Sequence, residues 1–263
     1  MTPFHALVLG IVQGFSELLP ISSSAHLYVI PTLLGWPYAG VAFDVALHWG
    51  TLLALVAGFW GQWVGLARDA LTGPAPARSL AWSTIGKLAL ASVPAAVAGV
   101  LLGEKSEMLL RSLPLQATML AVFGLLLWWA DRAAPSVHDG IPGWGAALVM
   151  GAAQALALVP GVSRSGVTIT AGRVAGQTRI SAARFSFLLA TPITFGAGLL
   201  ELRHLPHTLP LGALAIGVGA AAVTGFIAIR GLLAWLGRAG FGVFFAYRLA
   251  LAALILIAMP HHG

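Results

Sequence analysis

The 263-residue chain contains no cysteine and very few charged residues. Without cysteine there is no disulfide, no thiolate metal site and no cysteine nucleophile. Charged residues make up 8% of the chain, whereas soluble domains carry about 25%. So small a share cannot cover the surface of a soluble protein, and 59% of the residues are hydrophobic. The composition therefore predicts a polytopic membrane protein.

The positive charge of the chain does not form a nucleic-acid-binding patch. The formal net charge is +6, but the 14 Lys and Arg residues are scattered singly, without a basic run. Single cations at the ends of membrane spans are typical of residues that set orientation, so we expect no nucleic-acid partner. The N-terminus also lacks a basic stretch before its first apolar run, and we therefore expect no cleaved signal peptide.

Apolar runs of about 20 residues, the length that crosses a bilayer, occur six times along the chain. Polar or Pro/Gly-containing connectors separate them, and we predict these at 68–79, 103–114, 131–143, 201–210 and 230–240. The sequence thus predicts six transmembrane helices, at 40–60, 83–103, 113–130, 184–200, 209–229 and 241–259.

Two further apolar regions, 3–35 and 143–175, are each interrupted by a polar break. The first break contains Pro20 and a run of serines, and the second contains Pro160, Gly161 and a Ser-Arg-Ser run. Non-helical backbone at membrane depth is tolerated only where it is buried in protein or lines a wet cavity. We therefore predict that both regions are re-entrant helical hairpins.

The two interrupted regions resemble each other. In "QGFSELLPIS" (13–22) and "QALALVPGVS" (154–163) a serine follows a glutamine by nine residues, with a proline between them. Each region precedes three predicted spans, which reverse the direction of the chain, so the second copy enters the membrane from the opposite face. This predicts an inverted-topology repeat of about 1–130 and 143–260 within one membrane domain, 1–263.

Lys and Arg are distributed unevenly between the two predicted sides of the membrane. On this topology nine lie on one side, and three lie on the other, namely Lys105, Arg111 and Arg203. The side with the excess is predicted to be cytoplasmic. Both termini and the mouth of the first hairpin are then expected to face outward.

Ionisable side chains in the predicted membrane region are functional candidates, because a charge is costly there. They are Glu17, Asp44, His48, Arg164 and Arg248, with His26 as a titratable neighbour. If the hairpin tips meet, the carboxylate of Glu17, the imidazole of His26 and the guanidinium of Arg164 share one cavity. Asp44 and His48, which are four residues apart, could instead pair with each other.

The second break, "PGVSRSGVT" (160–168), predicts an anion site. Arg164 offers a planar fork that matches phosphate oxygens. Ser163, Ser165 and Thr168 add hydroxyl donors, and Gly166 lets backbone N–H groups approach an anion.

The first break, "QGFSELLPISSSAHL" (13–27), predicts metal and proton chemistry. Glu17, with Gln13, supplies oxygen ligands for Mg²⁺ or Ca²⁺, and such an ion would neutralise a pyrophosphate. His26 is a candidate acid, base or nucleophile, and the serines at 22–24 are candidate nucleophiles or hydrogen-bonding groups. Structural roles stay open, as interhelical contacts for Gln13, Glu17 and His26 and as helix caps for the serines.

These two motifs, with "FDVALHWGTLLA" (43–54) and "ARFSFLLATPITFGAG" (183–198), resemble the bacterial undecaprenyl-diphosphatase family, also called bacitracin-resistance phosphatases. The resemblance covers nearly the whole chain. It implies an all-α integral membrane enzyme of the bacterial plasma (inner) membrane, with six transmembrane helices and two re-entrant hairpins in an inverted repeat. The enzyme would hydrolyse undecaprenyl pyrophosphate to undecaprenyl phosphate and inorganic phosphate, and so recycle the lipid carrier of peptidoglycan and other cell-wall polymers.

The resemblance also implies cofactors and partners. They are a divalent cation, Mg²⁺ or Ca²⁺, the polyprenyl substrate, the surrounding membrane lipids, and bacitracin, which competes for the substrate. A homodimer is a further expectation, and the active site is expected to open on the outer face.

Specific residues match positions of the two family signatures. Gln13 stands where many members have Glu, and "SSSAH" (22–26) replaces the commoner Ser-Ser-Thr-Gly-His. The resemblance implies that the catalytic residues are Glu17, Ser23, His26 and Arg164, and that the metal ligands are Glu17 and Gln13. It implies that the substrate phosphates are bound by Arg164, Ser22, Ser163, Ser165, Gly166 and Thr168.

Two other classes of protein share part of these features. Type-2 phosphatidic acid phosphatases have a histidine seven residues after the serine of their Ser-Arg piece and an aspartate four further on, where this chain has Thr170 and Val174. That class is therefore excluded. A transporter or flippase of isoprenyl phosphates stays open, because inverted repeats with broken helices are typical of transporters.

Overall fold

The computed structural model describes residues 1–38, 40–110, 112–201 and 210–258, and these form an all-helical fold. One isolated backbone bridge joins His138 to Gln177 in this part of the chain. The helices, numbered in chain order, are α1 (Pro3–Leu18), α2 (Ser23–Leu33), α3 (Val41–Gly58), α4 (Trp60–Thr72), α5 (Ala75–Leu110), α6 (Leu113–Ala133), α7 (Trp144–Ala155), α8 (Arg164–Val174), α9 (Arg179–Glu201), α10 (Leu211–Leu236) and α11 (Gly242–Ala258). A 3₁₀ turn, Leu156–Leu158, extends α7.

Within the described ranges, four helices are long and apolar enough to cross a membrane, namely α5, α6, α9 and α10. The bent pair α3 and α4, which meet at an angle of 65°, counts as a fifth if the two helices form one span. The helix α11 is apolar but has 17 residues. The prediction of an all-α polytopic membrane protein is confirmed at this level.

Several predicted connectors are helical in the structure, so these predictions were wrong. The helix α5 covers 75–79 and 103–110, which leaves Gly73 and Pro74 as the turn before it. The helix α10 continues to Leu236 in the same way. Ala, Leu, Arg and Glu keep a high helix propensity after the apolar run ends, so bilayer thickness does not set the length of a helix. The connector at 131–143 is confirmed over 134–143.

Other predictions concern parts of the chain for which the structure gives no description. Most of the connector predicted at 201–210 lies outside the described residues. The side chains of Lys105, Arg111 and Arg203, on which the predicted orientation partly depends, also lie outside them.

The first predicted hairpin region is broken at 19–22. The helix α1 begins after Thr2, whose Oγ1 accepts a hydrogen bond from the backbone N–H of His5. It ends at Leu18, two residues before Pro20, which has no N–H to continue the helix. The second region is broken at 159–163, where Pro160 follows the 3₁₀ turn.

A serine with a positive φ angle precedes the second helix at each break. The φ angle is 75° at Ser22 and 70° at Ser163, and among the described non-glycine residues only these two have a positive φ. A positive φ angle at a non-glycine residue costs of order 1–3 kcal/mol of free energy. The two serines occupy equivalent positions of the two matching motifs, so both breaks have the same local geometry.

Glycines allow helices of the two predicted halves to approach closely. Gly10 of α1 faces the carbonyl oxygen of Gly217 in α10, and Gly151 of α7 faces that of Ala91 in α5. A β-carbon at Gly10 or Gly151 would overlap the facing oxygen. Each of these two glycines precedes the glutamine of its motif by three residues. Contacts between small residues bring backbones together in membrane proteins.

The largest hydrophobic cluster among the described residues joins the helices that adjoin both breaks. It contains Leu18 at the end of α1, Ile169 of α8, Phe187 of α9 and Leu232 of α10. A second cluster packs Ala25 and Val29 of α2 against α6 and α11. Together these clusters hold the ends of α1, α2 and α8 in a fixed relation.

Candidate active site

The two breaks meet at the carboxylate of Glu17. The Nη2 atom of Arg164 donates to Glu17 Oε1 at 2.8 Å, and the Oγ atom of Ser23 donates to Oε2 at 2.5 Å. Ser23 is the first residue of α2 and Arg164 is the first residue of α8. The N-termini of two helices therefore converge on one buried carboxylate. The structure thus brings together three of the four residues predicted to be catalytic.

Two more side chains contact the same carboxylate. The Nε2 atom of Gln13, one turn earlier on α1, lies 3.4 Å from Glu17 Oε2. The Nε2 atom of His48, on α3, lies 3.3 Å from the same oxygen, and its Nδ1 atom lies 2.8 Å from the backbone carbonyl oxygen of Asp44. His48 therefore does contact Asp44, but through the backbone, and it also belongs to the site. Its spacing from Asp44 alone did not indicate that α3 lies beside α1.

Arg164 retains an unused donor beside its ion pair. Its side chain is only 11% exposed, and its buried Nη1 atom has no hydrogen-bond partner among the described residues. A buried donor without a partner costs free energy. Negatively charged oxygens, such as those of a phosphate, are the ligands that a guanidinium binds best.

The predicted hydroxyl ligands of the second break make contacts within the protein. Ser165 Oγ donates to the backbone carbonyl oxygens of Glu17 and Leu19, at 3.3 and 3.2 Å, and so ties α8 to the end of α1. Ser163 Oγ lies 3.3 Å from Ser165 Oγ and accepts from the N–H of Gly166 at 3.2 Å, which caps α8. These two serines order the break in the described structure.

Two other predicted phosphate ligands are turned towards protein groups. Thr168 Oγ1 lies 2.6 Å from Ser186 Oγ of α9 and is fully buried. Ser22 Oγ lies 3.2 Å from Ser24 Oγ. A β-carbon at Gly166 would lie 2.9 Å from Nη1 of Arg248. Glycine at that position therefore provides space for an arginine side chain.

His26 contacts α11 and not the cluster around Glu17. Its Nδ1 atom lies 2.6 Å from the backbone carbonyl oxygen of Ser22, and its Nε2 atom lies 2.7 Å from the hydroxyl of Tyr247. His26 follows Ser23 by three residues, so the two side chains share one face of α2. His26 therefore adjoins the Glu17 site without a described hydrogen bond to it. Sequence reasoning did not identify Tyr247.

Arg248 joins the two breaks to each other. Its side chain is fully buried and donates to the backbone carbonyl oxygens of Pro20 in the first break and of Gly161 and Val162 in the second, at 2.9–3.2 Å. It also donates to carbonyl oxygens of α6, at Met119 and Leu120. The sequence indicated Arg248 as an ionisable residue in the membrane. The structure shows that it donates hydrogen bonds to backbone carbonyl oxygens at both breaks.

The family model described as bacitracin resistance protein BacA matches residues 6–254. The chain belongs to the BacA family. Curated relatives match the chain over all or nearly all of their length. The undecaprenyl-diphosphatase of Pelotomaculum thermopropionicum is 49% identical over 268 residues, which cover 100% of both chains. Those of Moorella thermoacetica and Gemmatimonas aurantiaca are 47% and 44% identical, and cover 97% and 98% of each chain.

The predicted family is therefore confirmed, and all residues of the site lie within the part that matches the BacA model. As a BacA family member with several apolar helices, the chain is a multi-pass membrane protein.

Glu17 and Gln13 of this BacA chain offer side-chain oxygens of the kind that bind a divalent cation together with a phosphate ligand. The described side chains contain no group of three or more His, Asp or Glu residues that could hold a metal alone. The Nε2 atom of Gln13 faces Glu17, however, and its buried Oε1 atom has no hydrogen-bond partner in the described structure. Mg²⁺ commonly binds through one or two such oxygens together with substrate phosphates.

Proposed function

We propose that the chain is an undecaprenyl-diphosphatase, which hydrolyses undecaprenyl pyrophosphate to undecaprenyl phosphate and inorganic phosphate. The observation that carries the proposal is the convergence of Ser23 and Arg164, the first residues of α2 and α8, on the carboxylate of Glu17. Relatives that bear this name match the chain from end to end. The activity returns the lipid carrier to cell-wall synthesis.

The second break binds the pyrophosphate in this proposal. The free Nη1 atom of Arg164 donates to the terminal phosphate, while Nη2 stays bound to Glu17, which fixes the plane of the guanidinium. The N-termini of α2 and α8 add backbone N–H groups and the positive ends of two helix dipoles. Donors that are already in place stabilise charge as it develops on phosphate oxygens.

Ser23 is the side chain best placed to attack phosphorus. Its hydroxyl already donates to Glu17, so the carboxylate accepts the proton as Oγ bonds to the terminal phosphorus. The bond from that phosphorus to the bridging oxygen breaks, and undecaprenyl phosphate leaves. Water then attacks the phosphoserine, and its proton passes to Nε2 of His26. The bond from phosphorus to Ser23 Oγ breaks, Oγ takes back the proton held by Glu17, inorganic phosphate leaves, and His26 releases its proton to the solvent. The sum of the two steps is one water consumed for each pyrophosphate.

A divalent cation, Mg²⁺ or Ca²⁺, completes the site in this proposal. Glu17 and the Oε1 atom of Gln13 would hold it, and when bound it would offset the negative charge of the pyrophosphate.

The test is phosphate release by the purified full-length protein in detergent micelles that contain undecaprenyl pyrophosphate. We expect release in Mg²⁺ or Ca²⁺, its loss with a chelator, and its recovery when metal is restored. Bacitracin added with the substrate should lower the rate, because it competes for the pyrophosphate lipid. Absence of metal-dependent release would contradict the proposal, and movement of intact lipid across proteoliposomes without release would indicate a transporter.

We also propose that α1–α2 and α7–α8 are re-entrant hairpins of an inverted repeat, with six spans in the bacterial plasma membrane. Two observations support the repeat. The positive-φ serines occupy equivalent positions. In addition, α1 of the first half packs on α10 of the second, and α7 of the second packs on α5 of the first, at equivalent glycines.

The proposed orientation places both termini and the opening of the site on the outer face. It can be tested with single cysteines, because the chain has none of its own. Thr2→Cys and Ser79→Cys change exposed residues at the starts of α1 and α5. In intact cells we expect an impermeant maleimide to label Thr2→Cys and not Ser79→Cys, and the reverse pattern would contradict the orientation.

A further inference from the structure

Both ring nitrogens of His26 have a partner, and the partners determine where the ring proton lies. The Nδ1 atom is 2.6 Å from the backbone carbonyl oxygen of Ser22. A carbonyl oxygen can only accept, so Nδ1 carries the proton. The Nε2 atom then holds a lone pair, and the hydroxyl of Tyr247, 2.7 Å away, donates to it. The contacts therefore specify one tautomer of neutral His26.

The His26 ring and the neighbouring Arg248 hold the Tyr247 side chain, which is itself 45% exposed. Its ring is stacked on that of His26, with centroids 5.6 Å apart and planes 4° from parallel. The next residue, Arg248, is anchored by its hydrogen bonds to the carbonyl oxygens of Pro20 and Gly161. The helix that carries Tyr247 is thus held to both breaks, and His26 is itself only 5% exposed.

We propose that Tyr247 acts with His26 in the hydrolytic step, as the hydroxyl that holds the imidazole and passes the proton of the attacking water to Nε2. Its hydroxyl donates to Nε2, so Nε2 is the ring nitrogen that carries no proton and can accept one. The same hydrogen bond fixes the orientation of the imidazole ring. The inference rests on the proposed function, in which Nε2 accepts a proton from the attacking water. Because the Tyr247 hydroxyl occupies the lone pair of Nε2, the proton of the water reaches Nε2 through it: the Tyr247 oxygen accepts the proton from the water as it passes its own proton to Nε2. The protonated Nε2 then donates to the same oxygen, so the ring keeps its place. A hydroxyl can make this exchange because it both donates and accepts.

The activity test compares Tyr247→Phe with Tyr28→Phe. The first variant keeps the stacked ring and removes only the hydroxyl. The second removes a hydroxyl from a half-buried tyrosine on α2, whose ring packs edge-on against Tyr38. For Tyr247→Phe we expect kcat to fall roughly ten-fold or more, as for a lost hydrogen bond to an ionised group, with KM within about two-fold of the wild type. Tyr28→Phe should keep the wild-type kcat. Wild-type kcat in Tyr247→Phe would overturn the inference.

A spectroscopic test does not depend on turnover. In protein labelled with ¹⁵N-histidine, the signals of His26 are those that disappear in His26→Asn. In the wild type we expect a protonated Nδ1 and an unprotonated Nε2. In Tyr247→Phe we expect the Nε2 resonance to shift towards that of an unprotonated imidazole nitrogen that accepts no hydrogen bond.

The spectra also separate this inference from the proposed function. A wild-type His26 that is protonated on Nε2, or an Nε2 signal unchanged in Tyr247→Phe, would overturn the role of Tyr247. The expected spectra in a protein that releases no phosphate would instead contradict the proposed function. If Tyr247→Phe does not fold, the tautomer of His26 in the wild-type protein still tests the inference, because a proton on Nε2 would overturn it.

Discussion

The guanidinium of Arg164 lies 2.8 Å from the carboxylate of Glu17, although 147 positions separate the two residues in sequence. The contact joins the start of α8 to the end of α1 and so couples the two breaks. Neither break contains both charges. A change in either residue therefore leaves an opposite charge buried without its partner, and variants must separate loss of chemistry from loss of fold.

Replacement of Arg164 by lysine should slow phosphate release strongly. Arg164→Lys keeps the charge and so preserves the ion pair, but it loses the fork that reaches Glu17 and phosphate at the same time. We expect this variant to fold and to lose about 10²–10³ in kcat, as when a donor to a developing oxyanion is removed. The matched control is Arg68→Lys, at a position 71% exposed on α4. A rate for Arg164→Lys close to that of the control would place the phosphate site elsewhere.

Glu17→Gln should remove the response to metal. The variant has nearly the same shape, but it lacks the charged oxygen that we propose binds Mg²⁺ or Ca²⁺. We expect phosphate release to become slow and insensitive to added metal. We also expect calorimetric titration of metal in the presence of inorganic pyrophosphate, after subtraction of the same titration without protein, to lose its binding signal. Asp69→Asn, on the exposed end of α4, is the control and should titrate like the wild type. An unchanged titration in Glu17→Gln would indicate a purely structural carboxylate.

Gly10→Ala should destabilise the protein although alanine favours helix. The added methyl group would overlap the carbonyl oxygen of Gly217, so α1 and α10 must separate. Forced overpacking typically costs about 1–3 kcal/mol. Gly219→Ala, on the open face of the same α10, adds a methyl group that meets no atom within 4 Å and serves as the control. Thermal unfolding in detergent should show a lower Tm for Gly10→Ala only, and equal Tm values would contradict the close contact.

Asp139, in the connector between α6 and α7, should stabilise the fold down to acid pH. Hydrogen bonds from Ser181 and Thr178 hold the pKa of Asp139 below its usual value of 3.8. A carboxyl with a lowered pKa contributes stability above its unfolded value, and loses it as the pH falls through the lower folded value. Asp139→Asn should therefore unfold at a lower temperature than the wild type near neutral pH. The difference should shrink only below pH 3.8, and a constant difference in Tm down to strong acid would contradict this assignment.

The breaks and their main charged residues were predictable because their signals are local. Pro20 and Pro160 interrupt apolar runs, and Glu17 and Arg164 are costly in a membrane unless they have a use. The repeated glutamine-to-serine spacing also indicated that the two breaks are alike. These features predicted that Glu17 and Arg164 meet, which the structure shows, and that His26 joins them, whereas His26 contacts Tyr247.

The partners of these residues could not be predicted, because they depend on which helices are neighbours. His48 contacts Glu17 only because α3 packs against α1, and Tyr247 contacts His26 only because α11 packs against α2. Thr168 looked like a phosphate ligand from its place in the motif, but its hydroxyl contacts Ser186. The direction of a side chain at the start of a helix depends on packing that no short motif contains.

The five carbonyl bonds of Arg248 have a consequence for biosynthesis. The helix that carries this arginine is the last described helix of the chain to leave the ribosome, whereas Pro20 and Gly161 are made long before it. Until α11 inserts, the carbonyl oxygens of both breaks lack this donor, and unpaired backbone in lipid costs several kcal/mol per group. Completion of both breaks thus waits for α11, so ribosome-bound chains stopped before α11 should remain sensitive to protease at both breaks.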